Sequence, residues 1–190
     1  MEWWMPLQRR RIPIHQPFAR ALLRAAVAEG FDLAFSEKLR LDHSVMLPLQ
    51  LMGAPDVPIV PLLQNCFIDP MPTPRRCLAL GRLIRQVAEA GPWRVAVLGT
   101  GGMSHWVGVP RMCEVNEAFD RRVLDLISRG DAEGLAGLTD PEIEAAGNGA
   151  HEIRNWITAV GATPGHKGRT LAYEVVPPWV VGAGVVALEV

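Results

Sequence analysis

An excess of charge of either sign is missing from this sequence: 19 Lys and Arg stand against 20 Asp and Glu, a formal net charge of -1. A dedicated nucleic-acid binder carries a clear basic excess, so that class is excluded. Long apolar runs are missing too. A transmembrane helix needs about 18 or more apolar residues in succession, and the best stretch here, Trp179 to Leu188, is roughly half that and is interrupted by Gly182 and Gly184. The N-terminal MEWWMPLQRRR places its basic cluster after its apolar residues, which is not the order of a secretory signal. Cysteine is scarce: Cys66, Cys77 and Cys113 are an odd set without a CxxC pair. That excludes a disulfide framework and suits free thiols in a reducing cytoplasm. Repeats, low-complexity tracts and linkers are absent, so the 190 residues are expected to form a single domain, 1–190. What is present is 49% apolar and 21% charged residues, too apolar for disorder and long enough for a buried core.

The segments alternate. Residues 1–16 are irregular, and Arg9, Arg10 and Arg11 read as a solvated charge run. Phe18 to Glu29 has helical apolar spacing and ends at Gly30. Residues 31–36 are a short apolar stretch, and Val57 to Leu63 reads as a buried or edge strand in spite of Pro58 and Pro61. Thr73-Pro74 opens a helix that Gly91-Pro92 stops. Arg94 to Leu98 reads as a short strand running into Gly99, Gly101 and Gly102, and residues 114–129 carry a stripe of Phe119, Val123, Leu126 and Ile127. Asp140-Pro141 and Asn148-Gly149 open two further helices, and strands near 170–176 and 181–189 close the chain. Strands alternating with helices predict an α/β fold with helices layered on a central mixed sheet.

The glycine turn GTGGMS follows a predicted strand, but HWVGVP comes next and cannot open the helix that a dinucleotide site requires. Ser104 and His105 are neighbours whose side chains diverge, and Trp106 replaces the last glycine of a nucleophile elbow, so a serine hydrolase is rejected. His105 then stands in a glycine loop at a strand end, where backbone without side chains leaves room for a ligand, and its chemistry would be proton transfer. Glu152, in GNGAHEIRNW, falls in the first turn of a predicted helix; the plainer reading is capping, while Gly147 and Gly149 allow another group to approach closely. His151 beside it points about 100° away on a helix, which makes a shared metal difficult. His43, in LRLDHS, is the third candidate, with a satisfied buried histidine as its plainer reading, and His15 and His166 are given no role.

LDHS (41–44), VPIVPLLQNCFIDPMPTPRR (57–76), GTGGMSHW (99–106), NEAFDRR (116–122) and GNGAHEIRNW (147–156) together resemble the class III extradiol ring-cleavage dioxygenases. The likeness is strongest to the β-subunit type typified by protocatechuate 4,5-dioxygenase. It runs from about residue 17 to the end, and GTGG-x-SH is its most specific piece. The resemblance implies non-haem Fe(II) held by two histidines and a glutamate, which opens catecholic aromatic acids beside their hydroxyls with O2. Residue by residue it assigns the iron glutamate to Glu152, the acid/base histidine to His105 and the histidine near the substrate hydroxyls to His43.

The family's two iron histidines lie well before the LDH segment, where this chain offers only His15 in a non-matching context. The expectation is therefore an N-terminally short member that lacks the family's first strands, with Trp3 and Trp4 covering the exposed sheet edge or marking an association surface. The competing expectation is a degenerate, non-catalytic relative acting as a partner subunit, in a homo-oligomer, or as a binding module. No nucleic acid and no membrane is expected as partner.

Overall fold

A computed structural model of the chain describes residues 10–53 and 56–189. Trp3, Trp4 and Arg9 lie outside the described residues. The chain divides into two compact units. One runs up to Leu63 and adds Val87–Val95; the other comprises Gln64–Gln86 and Ala96 onward.

In the first unit, α1 (Gln16–Ala28) buries Phe18, Leu22 and Ala26, a spacing of four that lines one helix face. His15 caps it: its Nδ1 accepts the Phe18 N–H at 3.1 Å, and its ring stands edge-on to Trp93. Phe18 and Trp93 are also edge-to-face, with centroids 5.3 Å apart. α2 (His43–Leu51) starts behind Asp42, whose carboxylate accepts the Ser44 N–H at 3.0 Å. The strand expected at Val57–Leu63 is reduced to one parallel bridge, Ile59 to Ile14. The cause is local: residues 59 and 61 face the same ladder side, and Pro61 has no N–H to extend it.

In the second unit, α3 (Pro74–Ala90, its residues 74–86) opens with the Thr73 hydroxyl accepting the Arg76 N–H at 3.3 Å. α4 (Glu117–Arg129) is capped by Asn116 and ends on Gly130 in the left-handed region. The short α5 (Ala132–Ala136) and α6 (Asp140–Glu144) follow. A 3-10 turn, Asn148–Glu152, then leads into α7 (Ile153–Gly161). α3 and α7 touch backbone to backbone, since a Cβ on Gly81 would lie 2.7 Å from the Gly161 Cα. A glycine inside a helix is unfavourable on its own, and this contact explains it. The core between the helices is built from Leu78, Val123, Leu135, Ile143, Ile153 and Ile157.

The protein is a mixed helix-and-strand fold, as the alternating segments predict. Its central sheet is narrow: among the described residues the regular sheet is the antiparallel pair β1 (Gly168–Val176) and β2 (Val181–Leu188). Gly168 pairs with Leu188 and Val176 with Val181, with an irregularity between Thr170 and Ala172. Arg94–Leu98, expected as a strand, joins no ladder among the described residues; β-branched composition suits a pleated surface but does not supply a neighbour. The glycine turn joins the sheet instead. The Met103 N–H donates to the Gly182 carbonyl at 3.1 Å, Gly182 N–H returns to Ser104 at 3.0 Å, and His105 bridges Val181. No helix of the described residues is long and apolar enough to cross a membrane.

Thr139 and Glu142 form a reciprocal capping box on α6, and with Arg122 they pull the Glu142 carboxyl down to about 2. A carboxyl depressed on folding contributes stability above its unfolded value that is lost as pH falls through the folded one. We therefore expect the protection of the α6 amides, measured against their intrinsic exchange rate at each pH, to fall as pH drops from about 4.5 toward about 2.

Candidate functional site

His105 and Glu152 come together at Gly102. The Gly102 N–H donates to Glu152 Oε2 at 2.5 Å, and a Cβ on Gly102 would lie 3.0 Å from His105 Cε1. Four glycines make this approach. Gly101 (φ 130) faces the Glu152 side chain; Gly147 (φ 129) lies against the His105 carbonyl, and Gly149 lies flat against its imidazole. The missing side chains at these glycines make room for His105 and Glu152.

Glu152 ends the 3-10 turn and takes the N-cap position of α7, but its side chain makes no capping hydrogen bond to that helix. One carboxylate oxygen is oriented by Gly102, while Oε1 accepts no hydrogen bond among the described residues. His105 Nδ1 lies 2.8 Å from the Met103 carbonyl. A carbonyl only accepts, so Nδ1 carries a proton, and in the neutral ring Nε2 is the nitrogen that keeps the lone pair. That tautomer can take a proton from an acidic hydroxyl and return it. His43 belongs to the first unit, half-buried at the start of α2.

Two buried networks hold these residues, and the sequence reading missed both. Ser104 is fully buried: its N–H and hydroxyl donate to the two Asp120 oxygens at 2.8 Å each, and its oxygen accepts the Asn116 N–H at 2.9 Å. Its hydroxyl proton is committed, which disposes of a serine nucleophile on structural grounds. The Tyr173 hydroxyl also donates to Asp120, at 2.9 Å. Burial pushes the Asp120 carboxyl above the usual carboxylate range, opposed by the Ser104 and Tyr173 hydrogen bonds and by His105. The available signal was position: Asp120 lies on the same α4 stripe as Val123 and Ile127, a charge on an apolar face.

The second network centres on Arg154, also fully buried. Nε donates to the Pro72 carbonyl at 2.7 Å, one terminal nitrogen meets His151 Nδ1 at 2.5 Å and the other Asp140 at 2.6 Å. His151 Nε2 in turn lies 2.7 Å from Glu144. Both His151 nitrogens are therefore engaged. Asn155 adds a third tie: Nδ2 donates to Thr100 at 3.0 Å, and its carbonyl accepts from Gln64 at 2.7 Å. The three cysteines are free thiols, and burial pushes Cys66 up to about 12 and Cys77 up to about 11.

A facial Fe(II) centre requires three protein donors around open positions. No group of three His, Cys, Asp or Glu side chains comes together among the described residues. All five histidines are among those residues; His15 caps α1 and His151 is bound to Arg154 and Glu144. Among the described residues the donor set does not fit a three-ligand centre.

Comparison with known proteins adds two findings. Residues 3–185 match the family described as "Catalytic LigB subunit of aromatic ring-opening dioxygenase". Curated relatives named 2,3-dihydroxyphenylpropionate/2,3-dihydroxicinnamic acid 1,2-dioxygenase are similar over most of the chain. The protein from Burkholderia vietnamiensis (strain G4 / LMG 22486) is 30% identical, covering 91% of this chain and 70% of its own length. That from Rhodococcus jostii (strain RHA1) is 26% identical, covering 88% and 69%. A Pseudomonas putida relative, whose name adds a final "1", is 27% identical, covering 87% and 69%. The aligned stretches, 222, 216 and 216 residues, exceed the 190 residues of the chain. The relatives therefore carry segments within the match that this chain lacks.

Proposed function

The chain belongs to the LigB family of aromatic ring-opening dioxygenase subunits, and from that premise we propose that it opens catecholic aromatic acids beside their hydroxyls with O2. Residues 1–190 act as one subunit-B-like domain, in the cytoplasm, where free thiols stay reduced. His105 is the acid/base residue, Glu152 the carboxylate available to Fe(II), and His43 orients the substrate hydroxyls. The observation that carries this reading is the meeting of His105 and Glu152 at Gly102. Within the catecholic aromatic acids, the relatives' names make a catechol bearing a three-carbon acid chain the first compound to test.

The proton chemistry rests on this chain's own atoms. Nδ1–H held on Met103 leaves His105 Nε2 to accept a proton from a catechol hydroxyl. Gly102 fixes one oxygen of Glu152 and so sets the direction of the other. No further step is assigned to iron, because the donors that would hold it are incomplete.

The incomplete donor set favours one alternative, a binding or partner subunit that recognises catechols without turning them over. An anaerobic Fe(II) titration followed by oxygen uptake with 2,3-dihydroxyphenylpropionate separates the two. We expect weak, unsaturated binding at one equivalent of Fe(II) and slow uptake that rises with excess metal. No uptake at any Fe(II) concentration selects the binding subunit. Tight stoichiometric binding with full turnover shows that the ligands are misassigned, with His15 the first residue to re-examine.

A further inference from the structure

We propose that Asp120 is a positioning residue for His105, its buried carboxylate clamping the Ser104–His105 turn so that the imidazole is presented in one orientation and one tautomer. This rests on His105 being the acid/base residue. The clamp acts on the residue between the two ends of the His105 contact. Met103 supplies the carbonyl that takes Nδ1–H, His105 carries the ring, and Ser104 between them is gripped through both its N–H and its hydroxyl. Asp120 is in turn fixed by α4, by Tyr173 on β1 and by Gly182 on β2, where a Cβ would run into its Oδ2. Three elements therefore converge on one carboxylate.

The surroundings argue against a purely structural role. Asp120 is fully buried and forms no ion pair among the described residues. The ionisable groups facing the clamp are Arg121, stacked over the Tyr173 ring at 5.2 Å and paired with exposed Glu117, and His105 itself. Glu152 reaches the other side of the site through Gly102. A carboxyl raised on folding withdraws stability as pH rises from its unfolded value through its folded one. Ordinary stability would therefore favour a neutral residue here, whereas a carboxylate can accept all three donors at once.

Asp120→Asn tests the clamp by keeping the shape and removing the charge and one acceptor. Isotope-edited NMR of the imidazole nitrogens in the iron-free protein is the primary readout. Wild type should show His105 as the single Nδ1–H tautomer, and the variant a mixture of tautomers, both read at a temperature where thermal unfolding shows each protein folded. Oxygen uptake with excess Fe(II) should show kcat reduced roughly 10–100-fold, the scale for losing an orienting partner, with KM little changed. An unchanged single tautomer overturns the proposal. A mixed tautomer with unaltered kcat supports the clamp and instead removes His105 from the acid/base role. Should Asp120→Asn fail to fold, Tyr173→Phe withdraws one donor from the same carboxylate. It should give a smaller tautomer shift, and none at all would also overturn the proposal.

Discussion

Gly149→Ala is expected to lower turnover by about 100-fold or more, the scale of losing a general acid/base group, and to destabilise the fold by about 1–3 kcal/mol, the scale of an overpacked core. The reason is spatial. The added methyl would occupy the place of the His105 imidazole, contacting Nε2, Cδ2 and Cε1 together. The ring cannot yield without breaking its Nδ1–H bond to Met103, and its backbone is pinned by the bridge to Val181. Gly147→Ala should destabilise further, because its φ of 129 is closed to alanine and its methyl would meet the His105 carbonyl. Gly137→Ala is the control: its methyl comes no closer than 3.3 Å to a neighbour, so its unfolding midpoint should barely move. Urea unfolding and oxygen uptake on the three variants check the order. Full turnover in Gly149→Ala would show that the His105 position seen here is not the working one.

Arg154→Met should be the most destabilising side-chain truncation, by about 3 kcal/mol on the scale for removing one partner of a buried charged pair. Methionine fills much of the volume but donates nothing. The Pro72 carbonyl and His151 Nδ1 then lose their donor inside the protein, and each unsatisfied group costs about 1–3 kcal/mol. Part of the Asp140 loss is recovered from water, since that side chain is half-exposed. Arg154→Lys should rescue little, because one ammonium on a flexible stem cannot point at Pro72, His151 and Asp140 at once. The site should follow: Arg154 lies two residues beyond Glu152, and losing the anchor frees the turn that aims the carboxylate. Weaker Fe(II) association in an Arg154→Met protein that remains folded under the assay conditions is the expected companion result.

Much of this was readable in the residues. Helices announced themselves through local rules: Pro74 after Thr73, the 119/123/126/127 stripe, and Gly130 after Arg129. GTGG-x-SH and GNGAHE carried the family likeness that the profile over residues 3–185 bears out. The strands at 57–63 and 94–98 were misread because a strand is defined by its neighbour. Pro61 stops the first after one rung, and no described segment pairs with the second. The glycines were read correctly as close-approach positions, but what approaches them is the protein's own His105 and Glu152.

The sequence alone determined the class of fold, because periodicity and capping are properties of neighbours along the chain, and its motifs carried the family resemblance and the candidates His43, His105 and Glu152. It also determined the shortage of histidines, since ligand types can be counted without coordinates. Only the tertiary structure decided that His105 and Glu152 meet at Gly102, and that Glu152 orients on a backbone N–H instead of making a capping hydrogen bond. Only there does Ser104 spend its hydroxyl on Asp120, and Arg154 tie Pro72, Asp140 and His151 together. The physical reason is that a buried polar group must find its partner wherever folding brings one within about 3 Å, and such partners lie far apart in the chain.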